Sequence, residues 1–266
     1  MVNGGRIHIA VLGLAAALVS SATPASRTQA AERAGYLVAS SFDILLVLPP
    51  APLPGDARDE ADRRIFRATR ALLATPRGRM AANDVGRTPV AMLDDFACAL
   101  GASLKPDAVP RTVALIERAS VDTNLQKDRA KDFYRRQRPL FVDRGPVCQP
   151  RAGLERTFDY PSGHATGGWT WALILADLAP DRAGPVLARG RAFGESRAIC
   201  GAHNASAVAA GWMTADATMA LVRTASAFRA DLEAARSELA AARRHAAAPD
   251  SAQCAAEQAL VNQRVY

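Results

Sequence analysis

Three short clusters carry residue types that can handle an oxyanion. The first is Lys131-Asp-Phe-Tyr-Arg-Arg-Gln-Arg138-Pro139. Its outer cations are seven positions apart, nearly two turns, so a helix through the segment puts Lys131 and Arg138 on one face. Pro139 ends that helix and leaves Arg138 at its C-terminal edge. Two cations so placed can hold one polyanion; a solvated basic face at a helix end is the plainer use of the same residues. The second cluster is Tyr160-Pro161-Ser162-Gly163-His164. Pro161 opens a helix whose first amides point outward and bind phosphate or sulfate unaided. Ser162 adds a hydroxyl, or serves only as an N-cap. Gly163 lets the backbone come close. His164 stands beside any anion held there and can protonate a leaving group. The third cluster runs from Ser196-Arg197 to His203. Arg197 offers a fork for two oxygens. His203 is a candidate nucleophile or metal ligand, against the alternative of a structural histidine.

The clusters argue more strongly together. The chain has four histidines. His8 lies in an N-terminal apolar segment and His245 in a polar tail, whereas His164 and His203 sit among Arg, Ser and Gly. A metal site wants more His, Asp or Glu in company, and these clusters supply cations instead, so no metal and no other cofactor is expected. Neither a G-x-S-x-G nucleophile elbow nor a P-loop is present. Several cations, a helix N-terminus and two histidines suit phosphoryl transfer, where charge on three equatorial oxygens must be neutralised.

The elements that must position these residues are helical. The 266 residues are 49% hydrophobic and 22% charged, enough for a sizeable core. The net charge of +7 is almost all Arg, since the only lysines are Lys105, Lys127 and Lys131. Residues 1–30 read as a cleavable secretory signal: Arg6, then the apolar run Ile7 to Val19, then small residues. Cleavage is expected after Ala22, Ala25 or Ala30, and the run falls short of the ~20 residues of a comfortable membrane span. Residues 31–266 then form one periplasmic or secreted domain with no stable membrane insertion. Cys98, Cys148, Cys200 and Cys254 are an even set in an oxidising compartment and allow three pairings. Cys148 with Cys200 is favoured, since both flank the cluster region. A Pro-rich stretch, Leu48 to Pro54, is neither helix nor central strand and reads as an extended surface arm. Helical spacing follows over 56–75, 89–100, 110–137, 161–178, 183–196 and, as one or two helices, 204–245. No segment alternates with β-branched residues, so an all-α, single-domain bundle is expected.

In sequence order the clusters spell K-x6-R-P, P-S-G-H and S-R-x5-H. This pattern resembles the signature of the type 2 phosphatidic acid phosphatase superfamily, which includes the vanadium haloperoxidases. Ten positions match: Lys131, Arg138, Pro139, Pro161, Ser162, Gly163, His164, Ser196, Arg197 and His203. The branch the chain resembles most is the bacterial class A non-specific acid phosphatases. Leu48-Pro-Pro50, Thr75 to Asp84, Ala130 to Tyr134 and Ile199 to Gly201 also match that branch. The resemblance implies an all-helical fold and metal-independent hydrolysis of phosphomonoesters. By motif, Lys131, Arg138, Arg197, Ser162 and the Gly163 amide would hold the phosphoryl group. His203 would attack phosphorus, and His164 would protonate the leaving alcohol and then activate water.

One position departs from the pattern. The signature ends S-R-x5-H-x3-D, and here Ala207 stands where the final Asp belongs. That carboxylate orients the imidazole and stabilises its charged form. Three readings follow. A backbone carbonyl, Asn204, Ser206 or a water holds His203; or a carboxylate from elsewhere, such as Asp216, reaches it; or the protein is a weak or dead phosphatase that still binds phosphate esters. A vanadate-dependent haloperoxidase ranks lower, because those chains are usually longer. Nucleic-acid polymers rank last as partners, because the arginines are scattered and no binding motif appears. Small phosphomonoesters and inorganic phosphate are the expected partners; a homo-oligomer is compatible with the sequence.

Overall fold

The structure, a computed structural model, describes Met1, Val2, Gly4 and residues 34–266. The expected signal, 1–30, lies almost wholly outside the described residues. Among the described residues there are ten α-helices and no strand. They are α1 (Ala57–Thr69), α2 (Pro76–Asn83), α3 (Pro89–Asp95), α4 (Ala97–Leu100), α5 (Pro110–Tyr134), α6 (Gly163–Leu178), α7 (Ala183–Cys200), α8 (Ala205–Val222), α9 (Ser226–His245) and α10 (Ser251–Val261).

Helix α6 is the axis of the bundle. It packs most extensively on α7 and also against α8 and α5. Its sequence is apolar on several sides, as a helix surrounded by others must be. Trp171, Ile174, Leu175 and Leu178 join Leu93, Phe96, Ile116, Phe193 and Met219 in one buried core. The long helix α5 begins with Pro110 at its first position, where the missing N–H costs nothing. It buries Val113, Ile116, Ala119, Thr123, Gln126 and Ala130 at helical spacing. Helix α8 is long and apolar enough to cross a membrane, yet half of it is buried and it packs on α5 and α6. Helix α9 turns Phe228, Ala235 and Leu239 inward and its charged face to water.

Several boundaries differ from those read in the sequence. The helix expected over 110–137 stops at Tyr134, where Arg135 caps it in the left-handed region at φ 48°. Pro139 disfavours helical geometry at Arg138, which is extended. Lys131 and Arg138 therefore do not share a helix face. The helix expected from Pro161 begins at Gly163, with Ser162 as its N-cap. Phe96 interrupts the segment expected over 89–100. Helix α7 runs past Ser196 to Cys200 and stops at Gly201, whose φ of 78° suits glycine. The 204–245 segment is two helices. The Pro-rich arm is irregular as expected, but Leu48 and Ala51 are buried against Tyr160 and Ala207. The disulfides are Cys148–Cys200 and Cys98–Cys254.

Candidate active site

The site gathers where three chain turns meet the N-terminal end of α6. The last turns of α5 supply Lys131, and the extended chain beyond it supplies Arg138. The Cys148–Cys200 bridge ties the loop carrying Gln149 to the end of α7, where Arg197 lies one turn earlier. Beyond Gly201 the chain reverses, with the Ala202 and His203 amides donating to the Arg197 carbonyl, and this delivers His203. Helix α8 comes close because position 211 is glycine: a Cβ there would lie 2.7 Å from the Ser162 carbonyl oxygen.

Of the seven residues expected in the site, Lys131, Arg138 and Arg197 surround His203, and His164 lies near Arg197 and His203, with Ser162 and Gly163 directly before it in the chain. His203 is buried, and the Arg138 guanidinium donates to its Nε2 at 2.8 Å. Its Nδ1 faces the Asp159 carbonyl at 2.8 Å and the Asp159 carboxylate at 3.0 Å. Two acceptors at Nδ1 and a donor at Nε2 place the proton on Nδ1 and the lone pair on Nε2, the tautomer a nucleophile needs. Burial, then Arg138, Lys131 and Arg197, hold the His203 pKa well below the usual imidazole value, with the Asp159 hydrogen bond working the other way. His164 is also depressed, by burial first and then by Arg197 and Arg87. It stacks beside Phe193 and its Nε2 lies 3.2 Å from the Val85 carbonyl. Ser162 accepts from the Ala165 amide at 3.3 Å, so it caps α6 while standing at the anion end of the helix. A Cβ at Gly163 would lie 3.1 Å from Lys127 Cδ, so that position is crowded from the solvent side.

The cations are arranged for an absent charge. Lys131 donates a hydrogen bond to the Phe158 carbonyl, and burial beside Arg138 pushes its pKa down to about 7. Arg138 donates to the Thr157 hydroxyl and carbonyl and to the Ala202 carbonyl. Arg197 is 1% exposed, and its Nη2 donates to Gln149. Among the described residues its Nε and Nη1, both buried, have no partner. Burial and the nearby Arg138 bring its pKa down to about 9. A buried guanidinium with two idle donors and no carboxylate of its own is a costly arrangement that an oxyanion would relieve.

Comparison with known proteins points the same way. Residues 113–230 match the PAP2 superfamily. An acid phosphatase of Zymomonas mobilis is 40% identical over 218 residues, covering 81% of this chain and 83% of that protein. Non-specific acid phosphatases of Salmonella typhimurium and Providencia stuartii are 32% and 30% identical, over 72% and 75% of this chain and 78% and 82% of theirs. The chain belongs to the acid phosphatases of the PAP2 superfamily. It is an enzyme, and the all-α architecture expected from the sequence is that of a helical superfamily.

Of the signature residues, Ser196 does not face the anion end. It donates to Asp84 and accepts from Arg77 at 2.9 Å, inside a separate buried charge cluster. Neither Asp216 nor Asp177 reaches His203; Asp216 accepts from the Trp169 indole at 2.7 Å and Asp177 pairs with Arg223 at 2.9 Å. The sequence reading missed Asp159, Gln149 and Arg87. Asp159 directly precedes the Tyr160–His164 cluster and Gln149 directly follows a bridged cysteine, so both had a signal in their adjacency.

Proposed function

We propose that this acid phosphatase is exported and hydrolyses small phosphomonoesters without a metal, through a phosphohistidine at His203. The observation that carries the reading is the pair of unpartnered, buried Arg197 nitrogens beside an imidazole held at Nδ1 by Asp159, which leaves the lone pair on Nε2, where it takes the Arg138 donor. Lys131, Arg138, Arg197, Ser162 and the Gly163 amide hold the phosphoryl oxygens. Nε2 of His203 forms a bond to phosphorus as the bond to the leaving oxygen breaks. His164 gives its proton to that oxygen. A water then loses a proton to His164 and attacks phosphorus, the P–N bond breaks, and inorganic phosphate leaves. The fully buried, correctly oriented His203 favours this over a binder without activity.

A cavity of about 390 Å³ lies beside α6 one turn past His164 and suits the leaving group. Arg87, Glu117, Ser120 and Asn124 line it together with Pro89, Met92 and Trp171, a wall of mixed polar and apolar character.

The test is hydrolysis of a chromogenic phosphomonoester by the mature protein from about pH 4 to about pH 9, with chelator present, beside His203→Ala. Activity that survives chelator and vanishes in the variant, with label from the phosphoryl group trapped on the wild-type chain, is expected. Equal activity in the variant, or loss with chelator, would overturn the reading.

A further inference from the structure

Position 207 is closed, not vacant. Ala207 is fully buried in an apolar cluster with Ile44, Leu48, Ala130, Tyr160 and Ala210. Its carbonyl accepts the Ser162 amide at 2.9 Å. The Pro-rich arm is fastened over the same cluster by the Tyr160 hydroxyl, which donates to the Pro49 carbonyl at 2.8 Å. A carboxylate placed here would be buried among hydrocarbon.

The Nδ1 edge of the imidazole is instead served by a charge from elsewhere. Asp159 is fully buried and comes from the segment before α6, on the far side of the signature from position 207. One oxygen takes His203 Nδ1 at 3.0 Å and the Asn204 amide at 3.1 Å. The other takes the Asn204 side-chain amide at 2.8 Å and lies 3.5 Å from Arg136. Every one of these neighbours is a donor. Asn204 is also the N-cap of α8, so the carboxylate sits at the positive end of that helix. Burial raises the Asp159 pKa, and Arg136, Asn204 and Lys131 pull it back.

Arg136 is itself held in place. It donates to Asp62 and Ser206, each at 2.8 Å, and to Asp59 at 2.8 Å. Asp62 in turn accepts the Ser206 amide at 2.8 Å and the Ser206 hydroxyl. Two carboxylates from outside α8, joined by one guanidinium, therefore satisfy its first turn. The mesh locks the angle at which Asp159 meets the ring.

We propose that Asp159 is the positioning residue for His203, doing from the segment before α6 what the final Asp of the family signature does from the helix after it. The inference rests on His203 being the nucleophile. Asp159 fixes the Nδ1–H tautomer together with its own backbone carbonyl, and it alone of the two supplies a negative charge opposite the phosphorylated ring. Position 207 was thereby freed to become part of the apolar wall.

The test compares wild type, Asp159→Asn, Asp159→Ala and Ala207→Asp, each checked for folding by circular dichroism. In both Asp159 variants kcat should fall about 10²-fold or more, less than the full loss of a triad carboxylate because the backbone carbonyl remains. KM, and inhibition by inorganic phosphate, should move less than about threefold, because the phosphate donors are untouched. In ¹⁵N-histidine spectra the His203 Nδ1 proton should shift upfield and exchange faster in Asp159→Ala. Ala207→Asp should lose stability without gaining kcat. A kcat within a few-fold of wild type in a folded Asp159 variant, an unchanged His203 spectrum, or a tenfold gain from Ala207→Asp would overturn the proposal. If wild type itself proved inactive, the proposed function would fall, and the imidazole spectrum would still decide the role of Asp159.

Discussion

Two arginines on α7, eight residues apart, are both buried, and they live in opposite surroundings. Arg189 spends every donor. It reaches Asp84 with both terminal nitrogens, at 2.6 Å and 3.4 Å, and the Asp95 carbonyl with Nε at 3.0 Å. The Asp95 carboxylate lies at 3.3 Å and Glu257 at 3.7 Å. Its pKa is raised, since these carboxylates outweigh burial. Arg197 has Gln149 and two idle nitrogens, and its pKa is lowered to about 9. The same residue type on the same helix is a structural tie in one place and a waiting ligand site in the other. What separates them is a carboxylate in direct contact: Asp84 pairs with Arg189 at 2.6 Å and acts on Arg197 only through its field.

Removing Arg197 should produce the largest effect. Arg197→Met should lower kcat/KM by about 10³-fold, the scale of losing a donor aimed at developing charge. Its stability should hold or rise, because an uncompensated buried charge goes with it. Equal losses of activity and of melting temperature would break the contrast. Arg189→Met should do the reverse. It leaves Asp84 and Asp95 buried without their cation, at a cost of about 3–5 kcal/mol, read by denaturant unfolding. The folded fraction should keep kcat/KM within a few-fold of wild type.

The smallest effect sharpens the contrast through pH. In the proposed mechanism His164 is the acid, which requires it to be protonated at the start. In the empty site its pKa lies well below 6.5, from burial first and then from Arg197 and Arg87. The protonated form is therefore lost as pH rises through the acid range, and kcat/KM, which reports the free enzyme, should fall there. A bound phosphomonoester supplies negative charge beside the ring and raises that pKa. The basic limb of kcat should thus lie about one unit or more above that of kcat/KM. Coincident limbs would mean that the site cations do not act on His164.

The sequence made the ligand side of the site legible and hid its structural side. Lys131, Arg138, Ser162, Gly163, His164, Arg197 and His203 stand in a linear pattern of types and gaps, and the cations among them gather around the two histidines. The route by which Arg138 arrives was misread, because a seven-residue spacing implies a shared helix face unless a left-handed cap such as Arg135 intervenes. Asp159 stands directly before the Tyr160–His164 cluster, which marks it as a neighbour of the site, but its partner is 44 residues away, so its pairing with His203 shows only in the fold. Nothing in the sequence sets Arg189 apart from the other arginines, since its three acid neighbours, Asp84, Asp95 and Glu257, are brought to it only by the fold. The helices were readable from apolar spacing and prolines. Their ends were less so, as at Phe96 and Cys200, where tertiary packing decides whether one more turn forms.

The most direct measurement is the melting temperature against inorganic phosphate for wild type, Arg197→Met and Arg189→Met. Wild type should gain about 2.7 kcal/mol at a hundredfold excess of phosphate over its Kd. Arg189→Met, though less stable at the outset, should gain a similar amount, and Arg197→Met should gain little. Equal phosphate stabilisation in all three proteins would contradict the claim that Arg197 is held uncompensated for the phosphoryl group.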